Sequence, residues 1–162
     1  MKVSNESSSD LLATITVFLE EIGISVVKEK LTEPTFLPGI KINKGKIHID
    51  EFLLKHPGDL LHEAGHIAVM TPEERTTISG NIQEHRPEGV NDELSAILWS
   101  YAALVYLKID PIVVFHPEGY KGDSEWLMAS FSNQQYIGLP LLQWMGMTTT
   151  EIFPKMNKWL RD

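Results

Sequence analysis

Apolar residues recur along this chain with two different spacings, and the changes between them predict its elements. Over residues 10–22 the apolar positions follow one face of a helix. Ser9 or Asp10 is the expected cap of this helix, and Gly23 is its expected end.

Strict alternation then replaces the helical spacing. Two short alternating runs, over residues 40–42 and 47–49, flank the turn-prone sequence Asn43-Lys44-Gly45. This pattern predicts a β-hairpin with one buried face. The preceding segment, residues 25–31, fits a short strand or a continued helix equally well.

Two longer helices are predicted in the middle of the chain. The first runs from Pro57, in the position of a first helical residue, to about Met70, and Thr71-Pro72 breaks it. The second runs from Asp92 to about Lys108 behind the cap residue Asn91. The second helix is apolar on most sides, which indicates a central, buried position.

The last third of the chain has weaker signals. Residues 112–116 (IVVFH) suggest a strand or an extended segment, and residues 124–136 have a helical pattern. Residues 139–147 are largely apolar. Thr148 and Glu151 form the capping signature of a final short helix.

Composition narrows the function classes. A chain of 162 residues with 43% hydrophobic and 22% charged residues is expected to form one globular domain, residues 1–162, with a flexible start over residues 1–9. Its net charge of −8 argues against binding to nucleic acid or to an anionic membrane. No apolar run approaches the length of a membrane span and no signal peptide is evident, so a cytoplasmic location is expected. Without cysteine, a metal site here must use nitrogen and oxygen ligands.

The first of the two longer helices carries the sequence HEAGH. His62 and His66 are four residues apart, so both side chains lie on one helix face and can reach one ion. Glu63 is rotated by roughly 100° and reaches a water on that ion as a general base. This is the H-E-x-x-H pattern of zinc peptidases, and the small residues Ala64 and Gly65 would let another segment approach closely.

A catalytic zinc ion needs a third protein ligand. The candidates that follow the motif are Glu84, His85, Glu88, Asp92 and Glu93. Glu93 is the favoured ligand, because it opens a buried helix and completes a set of two histidines and one glutamate. Asp92 would then cap that helix or orient a ligand. Acids in a first helical turn also interact favourably with the helix dipole without any metal, and this is the competing explanation for Asp92 and Glu93.

The motif and the order of the elements around it resemble the gluzincin metallopeptidases, and among them the ImmA/IrrE-type family. The resemblance covers roughly residues 35–108, from the hairpin to the helix that bears Glu93 and Ala96. That family's glutamate helix usually reads E-x-x-A-N-x-F-A, and this chain has Ile97 and Trp99 at the Asn and Phe positions. The resemblance implies a zincin-like α+β fold, a zinc ion, and cleavage of a peptide or of a regulatory protein. Residues 109–162 have no counterpart in it, and their role stays open.

Such a hydrolase also needs a group that stabilises the developing oxyanion. His116, Tyr120 and Tyr101 are the candidates, although Tyr101 is equally suited to the core and the other two to a loop. The exposed edge of the hairpin offers a place where an extended peptide can pair. Two alternatives remain: a zincin-like module that regulates or binds a partner without turnover, and a metal-free helical domain in which HEAGH is a coincidence. The sequence does not determine the oligomeric state.

Overall fold

The computed structural model describes residues 7–82 and 92–162, in which α-helices surround one small sheet. The helices are α1 (Ser8–Ile22), α2 (Asp59–Ala68), α3 (Pro72–Thr77), α4 (Glu93–Leu107), α5 (Pro111–Val114), α6 (Ser124–Ser132) and α7 (Leu139–Trp144). The strands are β1 (Val26–Lys28), β2 (Ile40–Asn43) and β3 (Lys46–Ile49). The predicted α+β class is confirmed. Within these two ranges no helix is long and apolar enough to cross a membrane.

The predicted hairpin is formed by β2 and β3. Asn43 pairs with Lys46 across a two-residue turn in which Lys44 and Gly45 both have positive φ, 49° and 74°. This is the type I′ conformation, whose twist matches that of the two strands. The segment 25–31, which fitted a strand or a helix, contains β1. It pairs in parallel with β3, so the strand order is β1-β3-β2 and β2 lies at an edge.

Helix α1 begins earlier than its sequence pattern predicts. The cap is Ser7, whose hydroxyl accepts a hydrogen bond from the Asp10 amide, and not Ser9 or Asp10. Ser8 and Ser9, expected to be flexible, therefore belong to the helix, whereas residues 1–6 lie outside the described ranges. Gly23 ends α1 as predicted, with a φ of 100°.

Helix α2 is shorter than predicted at both ends. Pro57 lies in the turn before the helix, which begins at Asp59 and ends at Ala68. The predicted break at Thr71-Pro72 is confirmed, because Thr71 and Glu74 form a capping box that starts α3.

Two predictions in the last third are wrong. The segment 112–116 is not extended, because Asp110 accepts a hydrogen bond from the Ile112 amide and caps the short helix α5. No helix follows Thr148. Its hydroxyl bonds the Lys155 carbonyl as the chain folds back, and the segment forms turns.

The hydrophobic core joins the sheet to α1, α2 and α4. The buried face of the sheet contributes Ile40, Ile42, Ile47 and Ile49, which belong to one cluster with the apolar residues of the three helices. Helices α2 and α4 approach so closely at Gly65 that a Cβ there would lie 2.6 Å from the Ala96 carbonyl oxygen. The central, buried position predicted for α4 is confirmed, since Trp99 is fully buried.

Residues 109–162 pack against both ends of α2. At the start of α2, a Cβ on Gly58 would lie 2.1 Å from the Val113 carbonyl oxygen of α5. At the end of α2, the Arg161 amide donates to the Ala68 carbonyl at 2.9 Å and the Arg161 guanidinium donates to Val69 at 3.3 Å. This segment therefore holds the helix that carries HEAGH.

Candidate metal centre

Two helices bring three potential ligands together. His62 and His66 project from one face of α2, and Glu93 from the first turn of α4. The His66 Nε2 lies 2.9 Å from the Glu93 Oε2, and the His62 Nε2 lies 3.5 Å from the Glu93 Oε1. One ligand atom from each residue lies within 4.8 Å of the others, which is close enough to hold a metal ion.

The donor set fits a zinc ion. Zinc bonds of 2.0–2.1 Å in a tetrahedral arrangement place the donor atoms about 3.3 Å apart, and each histidine Nε2 lies near that distance from one of the two Glu93 oxygens, at 3.5 Å for His62 and 2.9 Å for His66. Two imidazoles and one carboxylate are one of the ligand sets of catalytic zinc, which leaves a fourth position for water or substrate. The two histidine rings stand nearly perpendicular, at 89°, with centroids 4.9 Å apart.

The electrostatics of the site also suit a cation. Burial and the neighbouring His66 together lower the pKa of His62 to about 4 although Glu93 opposes them, so His62 is neutral at pH 7. Burial also acts to lower the pKa of His66, but Asp92 and Glu93 outweigh it and raise that pKa above its ordinary value. The two carboxylates thus favour positive charge at the point where the ligands meet, and His62 offers a neutral lone pair, as a metal ligand must.

Asp92 lies behind His66, on the side away from Glu93. The Asp92 Oδ1 is 3.6 Å from the His66 Nδ1, and Asp92 occupies the cap position of α4 without a side-chain capping bond. A carboxylate next to the second ring nitrogen of a ligating histidine orients the ring and raises its basicity. Asp92 therefore has the position of a ligand-orienting residue. The other candidates for the third ligand, Glu84, His85 and Glu88, lie outside the described residues, as does the expected cap Asn91.

Glu63 faces a groove that His62 and His66 do not line. This groove, of about 400 Å³, lies beside the edge strand β2. Burial, with the nearby carboxylates of Glu93 and Asp59, raises the pKa of Glu63 to about 7, although His66 opposes this shift. A carboxylate with a pKa near neutrality can both accept and return a proton.

The three candidates for an oxyanion-stabilising group occupy different places. The Tyr120 hydroxyl lies 3.4 Å from the His62 Nδ1, and burial raises its pKa well above the ordinary value, so it stays protonated. The Nε2 of the buried His116 lies 2.7 Å from the Asp59 Oδ1. Tyr101 packs against Phe131, with ring centroids 4.9 Å apart, in an aromatic cluster with Tyr136 and Phe153. Of the three, Tyr120 is in contact with a potential ligand.

Sequence reasoning missed the environment of His116. Asp59 is buried and partners His116, and His56 stacks on the His116 ring with centroids 3.6 Å apart. From the sequence alone, Asp59 is explained as an acid in a first helical turn, where it interacts favourably with the helix dipole. His56 precedes the predicted helix, and no local signal links it to a residue 60 positions away.

Comparisons of the chain with protein-family models, with curated proteins and with solved structures gave no match. The geometry of the site is therefore the basis for a functional interpretation.

Proposed function

We propose that this protein is a zinc-dependent peptidase with a zincin-like fold. The observation that carries the proposal is the convergence of His62, His66 and Glu93 beside Glu63, which lines an open groove. A site that stored zinc structurally would be closed by a fourth protein ligand. Among residues 7–82 and 92–162, three potential ligands lie on two tightly packed helices, and Glu63 is the carboxylate that we assign as general base.

Each residue of the proposed site has a separate role in the reaction. His62, His66 and Glu93 hold the ion, which when bound supplies Lewis-acid activation of water and of the substrate carbonyl. Glu63 accepts a proton from the attacking water and returns it to the nitrogen of the leaving amine. Asp92 holds the His66 ring, and the close approach at Gly65 fixes the distance between α2 and α4.

Tyr120 is suited to stabilise the negative charge that develops on the carbonyl oxygen. It is a protonated donor at neutral pH, because burial and the nearby carboxylates of Asp59, Glu93 and Glu63 all raise its pKa. Its hydroxyl contacts the His62 Nδ1, whereas the His62 Nε2 faces Glu93, so the hydroxyl would turn from this contact to reach the carbonyl oxygen, where a donor strengthens as charge develops in the transition state. The pair of Asp59 and His116 supports Tyr120, since the ring of His116 packs against Gly119 in the same loop.

The edge of β2 provides a place for an extended peptide. Gly39 accepts a bond from the Asp50 amide of the β3 side, so by alternation Ile40 and Ile42 turn their backbone groups away from β3. This edge lines the same groove as Glu63. The described residues already use the Ile40 amide and carbonyl and the Ile42 carbonyl, so an extended peptide would pair here through the Ile42 amide and lie along the groove that Glu63 lines.

The experiment compares wild-type protein with Glu63→Gln and His66→Ala, using fluorescently labelled casein as an unstructured substrate and competition with a chromophoric chelator to measure zinc. Glu63→Gln should bind zinc like the wild type and lose cleavage at least 100-fold, because the base is absent. His66→Ala should lose both zinc and cleavage. The exposed Glu21→Gln on α1 is the matched control and should change neither.

The outcomes separate the alternatives. Unchanged cleavage by Glu63→Gln would refute the assigned base. Stoichiometric zinc without cleavage of any peptide by the wild type would favour the regulatory module. Failure of the wild type to take up zinc would leave HEAGH as a coincidence of sequence.

A further inference from the structure

The second ring nitrogen of His62 has a partner from the last third of the chain. The Tyr120 hydroxyl lies 3.4 Å from the His62 Nδ1, and the two rings meet edge to face, with centroids 5.3 Å apart and an interplanar angle of 82°. The Nε2 of the same histidine lies 3.5 Å from the Glu93 Oε1. The two nitrogens of His62 therefore have separate partners, one inside the proposed metal centre and one outside it.

The proposed ligation fixes the direction of the hydrogen bond between His62 and Tyr120. Ligation through the His62 Nε2 uses the lone pair of that nitrogen, so the single proton of the neutral ring lies on Nδ1. The Nδ1 then donates, and the Tyr120 oxygen accepts. In the opposite arrangement Tyr120 donates to Nδ1 and the proton lies on Nε2, where it blocks the ligand atom. Burial raises the pKa of Tyr120 well above its ordinary value, so the accepting hydroxyl is uncharged at neutral pH.

The backbone around Tyr120 adopts a costly conformation that its surroundings hold in place. Tyr120 and Lys121 have positive φ values, 57° and 52°, which residues other than glycine adopt rarely. The buried Ser124 hydroxyl donates to the His116 carbonyl at 2.7 Å, and the Tyr120 ring packs on the fully buried Phe115, with centroids 5.1 Å apart. Such conformations persist where the structure around them is fixed, and they are concentrated at functional positions.

The two ligand histidines thus have a corresponding arrangement at their second nitrogens. His66 has the Asp92 carboxylate 3.6 Å from its Nδ1, and His62 has the Tyr120 hydroxyl. Such partners fix the orientation and the tautomer of a ligating histidine, and their loss typically weakens metal binding.

We propose that Tyr120 is a positioning residue that holds the ring and the tautomer of His62 for metal binding, as Asp92 does for His66. This inference rests on the proposed function in taking a metal at the site, but it does not require that a peptide is cleaved. It also gives the last third of the chain a direct part in metal binding, although the three proposed ligands all lie between residues 62 and 93.

Zinc affinity, measured by competition with a chromophoric chelator, tests the inference. Tyr120→Phe keeps the ring and removes the acceptor. It should lower the affinity for zinc by about tenfold, the lower end of the usual range, because the lost oxygen carries no charge. The matched control Tyr106→Phe removes the hydroxyl of a tyrosine that is 62% exposed and should leave the affinity unchanged. Urea unfolding of both metal-free variants verifies that each is folded.

A spectroscopic measurement separates the orientation of His62 from a general effect on the site. In zinc-loaded protein with isotope-labelled histidine, the rings that bind through Nε2 are identified by the shift of that nitrogen, and each carries a proton on Nδ1. At saturating zinc, Tyr120→Phe should shift or broaden the Nδ1 proton signal of one ligand ring. The signal of the other ring should stay, because Asp92 is unchanged.

The outcomes distinguish this inference from the peptidase proposal. Wild-type zinc affinity in Tyr120→Phe would overturn the inference, as would a loss of affinity with both proton signals unchanged. If zinc affinity depends on Tyr120 and the wild type does not cleave labelled casein, the peptidase proposal fails and the inference stands. If the wild type cleaves casein and Tyr120→Phe retains both its zinc affinity and the two signals, the peptidase proposal stands and the inference fails.

Discussion

Adding one methyl group at Gly65 should weaken the proposed metal centre more than it weakens the fold. In Gly65→Ala the new Cβ would lie 2.6 Å from the Ala96 carbonyl oxygen, 0.8 Å short of the 3.4 Å at which ordinary contact begins. Because the clash is with backbone, α4 must shift away from α2. Glu93 lies one turn before Ala96 in the same helix, so its carboxylate moves away from the two histidines.

In the free energy of folding, the cost of overpacking is partly offset by the gain in helix propensity, whereas nothing offsets the displacement of Glu93 from the two histidines. Overpacking costs about 1–3 kcal/mol, and the gain in helix propensity from Gly to Ala returns about 1 kcal/mol. We therefore expect the metal-free protein to lose about 0–2 kcal/mol of stability. Ligand distances in metal sites tolerate only about 0.2 Å, so zinc affinity should fall by about 10- to 100-fold.

Two measurements check this prediction on the same variant. Urea unfolding of the metal-free protein reports the stability, and competition with a chromophoric chelator reports the zinc affinity. The added change Ala96→Gly should not restore affinity, because the close contact is with the Ala96 carbonyl and not with its methyl group. Unaltered zinc affinity in Gly65→Ala would refute the idea that the contact between α2 and α4 sets the position of Glu93.

Two further predictions concern residues outside the metal centre. Arg161→Ala should lower the free energy of unfolding by about 1–2 kcal/mol in urea titrations, because it removes the bond to the Val69 carbonyl and the stacking of the guanidinium on Trp144. The control Lys158→Ala breaks an exposed pair with Asp162 and should cost less than about 0.5 kcal/mol. Equal losses in the two variants would contradict this prediction. Hydrogen bonds from Lys55 and His56 lower the pKa of Glu118 to about 2, so its ion pairs stabilise the fold above pH 4.5 and lose this effect as the pH falls towards 2. The stability difference between wild type and Glu118→Gln should shrink over that interval in acid titrations followed by circular dichroism, and a constant difference would refute the assignment.

Local signals explain what could be predicted from the sequence. The hairpin follows from alternation and from Gly45, which tolerates positive φ, and Gly23 ends α1 for the same conformational reason. Helical periodicity alone predicts that His62 and His66 lie on one face of α2. The prediction of Glu93 needed one further assumption, that its helix is buried and packs on the first.

The errors and omissions have two sources. Some arise from contacts between distant parts of the chain, and others from helix caps to which the prediction gave less weight than to the apolar pattern. The run IVVFH has high strand propensity, yet Asp110 and Pro111 start a helix there. The capping signature at Thr148 is real in sequence, but its hydroxyl bonds Lys155 instead. The partnership of Asp59 with His116 spans 57 residues, and no periodicity reports it.

The bonds from Arg161 to the end of α2 have a consequence for the order in which the protein is made. All the proposed zinc ligands have been synthesised when residue 93 is added, whereas the partner of the Ala68 and Val69 carbonyls follows 68 residues later. At about 5–20 residues per second this interval lasts roughly 3–14 seconds. During that time the nascent chain holds every ligand, but the helix that carries two of them lacks the segment that fastens its end. Stable metal loading is therefore expected to follow translation of the segment around residue 161 and not to accompany synthesis of the ligands.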